Sequence, residues 1–267
     1  MNGAGVVGLH CARCEDAMPQ PRPFRDHFSG HAEDYGRFRP VYPDGLFRWL
    51  ASLVPGGSRV WDCATGSGQA AVAMAQHFPD VVATDASAEQ IAAAREHPRV
   101  RYEVRPASDS GLADDAVGLV TVAQALHWFD LEPFQREVAR VLEPGGVVAA
   151  WCYELFEVCP EFDRPMLELY RDVLGRDWPP ERRHIKTGYR DLAWPWPKLE
   201  PPALHMESDW SLEQTLGYLR TWSAARRWQA REGRDPVTLV EASLRAGWGD
   251  AASRRVRWPL RLLVSRV

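Results

Sequence analysis

The stretch VWDCATGSGQAA, Val60 to Ala71, carries an apolar strand into a carboxylate at Asp62 and then at once into a small-residue turn with Gly66 and Gly68. Two glycines one residue apart leave that backbone without Cβ atoms and open to close approach by a ligand. The helix that follows offers unpaired amide hydrogens and a positive dipole end, which suit an anionic group. Nineteen residues beyond Gly66, Asp85 closes the next apolar strand, where a ribose diol would lie. Together these features describe a nucleoside-containing ligand held at the carboxyl ends of parallel strands, where the strand order reverses.

Outward from this turn, short apolar runs alternate with amphipathic stretches, the pattern of an α/β doubly wound sheet. Upstream, Asp44 to Leu53 reads as a helix ended by Pro and Gly, and Ser58 to Cys63 as the first strand. Downstream come a helix from Gln69 to His77, a strand from Val81 to Asp85, and a helix opening at Ser87, a good N-cap. Strands follow at Val100 to Val104 and Val117 to Ala123, then a helix from Pro133 to Leu142, a break at Pro144 to Gly146, and a strand from Val147 to Cys152. Residues Tyr153 to Pro202 read as an insertion with one helix near Glu161 to Leu174. After it come a strand at Leu204 to Trp210, helices at Leu212 to Arg220 and Val237 to Ala246, and a closing strand at Arg255 to Ser265. The expected organisation is a flexible tail (1–25) and one domain (26–267) with an N-terminal lid segment (26–45) and the insertion (153–202).

The 267 residues allow a sizeable core, and 45% apolar with 25% charged residues is globular composition. No apolar run reaches the roughly 18 to 20 residues of a bilayer span. All but Lys186 and Lys198 of the 32 basic residues are Arg, scattered among acids with a net charge of -4, so no basic face marks a nucleic-acid partner. The first residues lack a basic start and a sustained apolar run, so the expected compartment is the cytoplasm. Cys63 and Cys152 lie in apolar strands and read as core, and the Cys11/Cys14 pair has no second pair at ligand spacing, so no metal is expected.

Gly66, Gly68 and Ala71 also satisfy a GxGxxA dinucleotide fingerprint, so an NAD(P)-dependent oxidoreductase stays open, as does a non-catalytic nucleoside-binding module. A pyrophosphate site, however, disfavours a fixed negative charge such as Asp62, whereas S-adenosylmethionine brings an ammonium group. The candidate cofactor residues are Asp62, Ala64, Thr65, Gly66 and Gly68 in the first turn and Asp85 and Ala86 after the second strand. Ala107 and Ser108 after the third strand and Gln124 after the fourth complete the set.

With these features in place, the sequence resembles the class I S-adenosylmethionine-dependent methyltransferases, in particular the trans-aconitate methyltransferase-like enzymes with a methyltransferase type 11 domain. The resemblance runs from about Phe28 to Val264 and is carried by YGRFRPVYP (Tyr35 to Pro43), DCATGSG (Asp62 to Gly68), ATDAS (Ala83 to Ser87), AQALHWFD (Ala123 to Asp130), VLEPGG (Val141 to Gly146) and YLRTWSA (Tyr218 to Ala224). It implies a seven-stranded sheet with a reversed last strand, ribose binding by Asp85, and closure over the cofactor by Tyr35 and Arg39. Ser108 departs from the acid often found there, and Tyr153 to Pro202 matches only loosely, which leaves the acceptor open.

With such a cofactor the methyl group arrives activated, and the protein mainly aligns an acceptor and excludes water. A carboxylate acceptor needs no base. A hydroxyl or amine would, and His127 is the candidate because its unperturbed pKa of about 6.5 lies near working pH. Trp128 and Phe129 beside it would floor the pocket. Tyr42, Arg183, His184, Tyr189 and Trp222 are the remaining acceptor-side candidates, with Arg183 placed to grip an anion by paired hydrogen bonds. Structural roles compete throughout: Asp62 as a brace, tryptophans as core, the ERRH run as a solvated face. The expected partner is a small-molecule methyl acceptor, with no nucleic acid and no membrane, for a monomer or homodimer.

Overall fold

The apolar runs become strands β1 (Val60–Cys63), β2 (Val81–Asp85), β3 (Val100–Val104), β4 (Val117–Ala123), β5 (Leu142–Cys152), β6 (His205–Trp210), β7 (Arg254–Pro259) and β8 (Arg261–Arg266) in the computed structural model, which describes residues 40–267. The main sheet has the order β3-β2-β1-β4-β5-β8; its first five strands are parallel and β8 runs antiparallel to β5. β1 pairs with β2 on one side and β4 on the other, so the order reverses beside Asp62. Because both faces of β1, β4 and β5 are covered, these strands are almost continuously buried.

The helices are α1 (Asp44–Ser52), α2 (Gln69–Met74), α3 (Ala88–Ala92), α4 (Leu131–Val141), α5 (Pro160–Glu168), α6 (Arg183–Lys186), α7 (Leu212–Arg220), α8 (Ser223–Glu232) and α9 (Glu241–Trp248). Alternate residues of each strand feed two cores. Val60, Leu119, Val147 and Trp151 pack with Leu46, Phe47 and Leu50 of α1. Trp61, Val120 and Val148 pack on the opposite face with Phe134 and Val138 of α4. Burying each such side chain stabilises the fold by about 1.5 to 3 kcal/mol.

The doubly wound architecture and the reversed edge strand are as expected, but the main sheet has six strands among the described residues rather than seven. The closing stretch is two strands, not one, divided at Pro259 and Leu260. β7 pairs with β6 in a separate two-stranded sheet, where Arg255 bonds Asp209 (2.7 Å) and Arg257 bonds Glu207 (2.9 Å). Beyond β8 the main sheet gains, among the described residues, a single bridge, Lys198 to Ser265.

Three helices also differ from expectation. Ser87 caps α3 as predicted, its Oγ accepting from Gln90 N, but α3 stops at Ala92. There the chain is drawn to other partners: Arg95 N donates to Ser67 O (3.2 Å) and Tyr102 Oη donates to Arg95 O (2.8 Å). The helix expected at Val237 to Ala246 divides into a tight turn, Pro236–Leu239, opened by Asp235, and α9. Helix α8 carries no clear apolar stripe in sequence; only Ala224, Ala225 and Trp228 are buried, and Gly233 ends it in the left-handed region. The tail, most of the lid segment, Tyr35, Arg39 and the Cys11/Cys14 pair lie outside the described residues.

Candidate functional site

The turn after β1 is assembled by carboxylates. Asp62, fully buried, accepts from Thr65 Oγ1 (2.6 Å), from Thr121 Oγ1 on β4 (2.8 Å) and from the backbone of Ala71 in α2. It therefore ties two strands and a helix together at the switch point. Burial, aided by the charge of Asp85 and opposed by these hydrogen bonds, pushes its carboxyl up to about 6. Asp85 at the tip of β2 accepts from Gly66 N at Oδ2 and from Ser87 N at Oδ1, both at 2.9 Å.

Backbone strain concentrates at the same place. Ala64 (φ 55°) and Gln124 (φ 58°), at the tips of the adjacent strands β1 and β4, both adopt left-handed conformations. Such residues cost about 1 to 3 kcal/mol each and persist where the surroundings over-determine them, often at functional sites. The Gln124 amide, expected to face the cofactor, instead pairs with the chain: Nε2 donates to Tyr153 O and Oε1 accepts from Tyr153 N, both at 2.9 Å. This side chain prolongs the β4–β5 ladder by one step, which leaves its backbone rather than its amide at the strand tip.

Gly68 (φ 81°) also has a different neighbour from the one the spacing predicts. A Cβ there would lie 2.2 Å from Tyr102 Oη, so its small size admits the ring of a β3 residue. Nothing in the motif points to Tyr102; only the register, which aligns Ala83 with both Asp62 and Tyr102, brings it across. Gly66 has only Gln90 Oε1 near, at 3.6 Å. Ala86 is half-buried beside Asp85, Ala107 packs against the second core, and Ser108 is exposed in the loop after β3.

Among the residues expected to line an acceptor site, His127 is buried to 8% exposure in a tight helical turn, Leu126–Trp128, that follows β4. Its Nδ1 lies 3.2 Å from Tyr189 Oη, and the two rings stack at 6.2 Å. Trp128 tilts against it at 4.7 Å. Burial, with the charges of Arg182 and His184, lowers the His127 pKa to about 3, not the near-neutral value expected of an exposed imidazole. Buried Tyr42 meets Trp151 edge-on at 5.6 Å. Trp222 joins Tyr170, Trp178, Tyr218 and Phe156 in an aromatic wall.

Arg183 is exposed and its Nε donates to His184 Nε2 (3.4 Å), while His184 Nδ1 meets Asp191 (2.8 Å). The preceding arginine occupies the more telling position. Arg182 lies 4.1 Å over the Trp178 ring and 5.7 Å over Tyr170, and its Nε donates to Tyr170 Oη (3.4 Å). Its charge is felt at His127 and Cys152. It forms no ion pair with a carboxylate among the described residues. Adjacent arginines in ERRH differ only in phase, which the tight turn Pro180–Arg182 sets.

The strand tips therefore gather Asp62, Ala64, Thr65, Gly66, Gly68, Asp85 and Gln124, while His127 meets Tyr189 and Arg183 meets His184 as separate pairs. This donor set fits a cationic nucleoside. Asp85 meets a backbone amide on each of its two oxygens, and a carboxylate oxygen can accept more than one hydrogen bond. The mutual repulsion of Asp62 and Asp85 is relieved by positive charge, not by pyrophosphate. Among the described residues no group of three or more His, Cys, Asp or Glu is placed to hold a metal, and no helix is long and apolar enough to cross a membrane.

Comparison with known proteins agrees with this geometry. A family model described as a methyltransferase domain matches residues 61–150. A solved structure from Anaeromyxobacter dehalogenans, named as a type II methyltransferase, is 46% identical, covers 85% of this chain and 97% of its own, and superposes with a TM-score of 0.82. A Dictyostelium discoideum protein named as a methyltransferase is 28% identical over 257 residues, 93% of this chain and 98% of that one. A Mycobacterium tuberculosis protein, also named as a methyltransferase, is 38% identical over 162 residues, 57% of this chain and 60% of that one. The nicotinamide alternative falls away, and the chain belongs to the class I S-adenosylmethionine-dependent methyltransferases.

Proposed function

We propose that this methyltransferase acts on an oxygen of a small molecule, a carboxylate or a hydroxyl, by direct in-line transfer. The observation that carries this reading is Arg182, its guanidinium carbon 4.1 Å over the Trp178 ring, its charge felt at buried His127, with no carboxylate ion pair among the described residues. A guanidinium held over an aromatic face has less freedom to lose when it grips a planar anion. The resemblance to trans-aconitate methyltransferase-like enzymes points the same way.

In this reading Asp85 holds the ribose diol, Asp62 braces the turn, and the turn's amides and Gly66 lie against the rest of S-adenosylmethionine. Tyr35 and Arg39 would close over it from the N-terminal segment. Bound there, S-adenosylmethionine supplies an electrophilic methyl group. The aromatic wall excludes water and Arg182 orients the acceptor. A carboxylate acceptor is already ionised. A hydroxyl becomes strongly acidic as its oxygen is alkylated, so even a weakly basic His127 nitrogen can take the proton.

The test is incubation of the full chain with methyl-labelled S-adenosylmethionine and a panel of small carboxylic acids, phenols, alcohols and amines. Labelled esters or ethers, with one S-adenosylhomocysteine per methyl, are expected. Label on amines alone, or on added protein or nucleic acid alone, would overturn the reading.

A further inference from the structure

The peptide that joins Ser67 to Gly68, inside the glycine turn, is held at both of its ends. Gly68 N donates to Thr65 O (3.1 Å), a bond within the turn, while Ser67 O accepts from Arg95 N (3.2 Å), beyond α3. Arg95 is held from its other side as well, because its own carbonyl accepts from Tyr102 Oη on β3 (2.8 Å). The same phenol comes back to the turn: its ring fills the space where a Cβ of Gly68 would stand, with Cζ 2.9 Å from that position. Ser67, Arg95, Tyr102 and Gly68 therefore close a circuit of contacts around the turn.

The chain leaves regular structure to make this circuit. α3 stops at Ala92, Ala94 N turns back to Ile91 O (3.1 Å), and Arg95 then reaches the turn. Both Arg95 bonds are made by backbone atoms, so any residue with an amide hydrogen could serve there. Tyr102 is the one member that contributes through its side chain. Burial drives its phenol up to about 12, so it stays protonated, and a donor, at neutral pH.

A turn with two left-handed glycines (Gly66 φ 58°, Gly68 φ 81°) has much freedom to regain once it is untied. Ordering such a segment at the moment of binding subtracts from affinity, and fixing it beforehand removes that cost. We infer that Tyr102 is a positioning residue for the methyl donor: its hydroxyl, acting through the backbone of Arg95, fixes the Ser67–Gly68 peptide before S-adenosylmethionine arrives. The inference rests on the reading that this turn carries S-adenosylmethionine.

Tyr102→Phe in the full chain keeps the ring against Gly68 and deletes one bond. Its affinity for S-adenosylhomocysteine in titration calorimetry should fall about fivefold, the worth of one ordinary hydrogen bond, with a more unfavourable binding entropy. Amide exchange of the ligand-free chain should quicken at Arg95 and Gly68 but not along β1 and β2, and S-adenosylhomocysteine should bring the two proteins back together. Unchanged affinity would overturn the inference, whether or not exchange quickens, since the circuit would then be scaffolding alone. Exchange that quickens equally along β1 and β2 would overturn it too, by making Tyr102 a general stabiliser of the sheet. Failure of the wild type itself to bind S-adenosylhomocysteine is a different result: it would remove the cofactor reading of the whole turn, and this inference with it.

Discussion

The two halves of the site are built from different kinds of information. At the strand tips the bonds are mostly short in sequence: Thr65 reaches Asp62 three residues back, and Ser87 reaches Asp85 two residues back. Around His127 and Cys152 the bonds are long, with His127 to Tyr189 spanning 62 residues and Cys152 to Ile185 spanning 33. The aromatic wall is longer still in reach, drawing Phe156, Tyr170, Trp178 and Trp222 from separate elements. A cofactor grip set by local rules can stay constant while an acceptor pocket set by packing changes, so mutations in the two halves should fail in different ways.

The sharpest break should come at Gly68. Alanine there must adopt φ near 81° and place its Cβ against Tyr102. Left-handed backbone and overpacking together should cost about 2 to 4 kcal/mol, seen as a lower denaturation midpoint and lost binding of S-adenosylhomocysteine in calorimetry. Adding Tyr102→Ala should restore part of the stability, since it removes the clash but not the backbone strain. Wild-type stability in Gly68→Ala would mean that the strand-tip half is not set by its local conformation.

Asp62 should show next, through pH. Its carboxyl titrates at about 6 in the folded chain against an ordinary 3.8, so its protonated form favours the fold. The contribution is fully present below about pH 4 and is lost as pH rises through 6, a change of roughly 3 kcal/mol. Urea unfolding between about pH 4 and pH 7.5 should therefore show a decline in wild type that Asp62→Asn lacks. Parallel pH profiles would remove the buried-brace assignment.

Asp85→Ala should weaken S-adenosylhomocysteine binding at least tenfold, because hydrogen bonds to a charged acceptor are worth about 1.5 to 3 kcal/mol. The loss also frees the Gly66 and Ser87 amides that shape the turn. An unchanged dissociation constant would detach the ribose from β2.

The same division governs what could be read from sequence. The parallel strands and their glycine turn are legible because burial on both faces leaves apolar runs and because Asp62, Gly66, Gly68 and Asp85 sit at fixed short spacings. Ser87 as a cap is legible for the same local reason. Tyr102 over Gly68 and the pairing of the Gln124 amide with Tyr153 depend on strand register, which no single segment encodes. The division of β7 from β8 is hidden because the alternation of Val256, Trp258 and Leu260 with polar residues runs on past Pro259, and the partner that draws β7 away, β6, lies 44 residues upstream of its paired end. Burial, not sequence, moves the His127 pKa.

The smallest effect is also the one that separates adjacent residues. Arg182, stacked on Trp178 without a carboxylate partner among the described residues, should contribute to acceptor binding, whereas exposed Arg183 should not. A charge-assisted pair at a half-buried position is worth on the order of 1 kcal/mol. Arg182→Ala should therefore raise the KM of an anionic acceptor about fivefold at unchanged affinity for S-adenosylhomocysteine, and Arg183→Ala should leave both constants where they are. Equal losses in the two variants would point to a diffuse surface charge, and a loss confined to Arg183 would place the acceptor at the His184–Asp191 rim rather than against the aromatic wall.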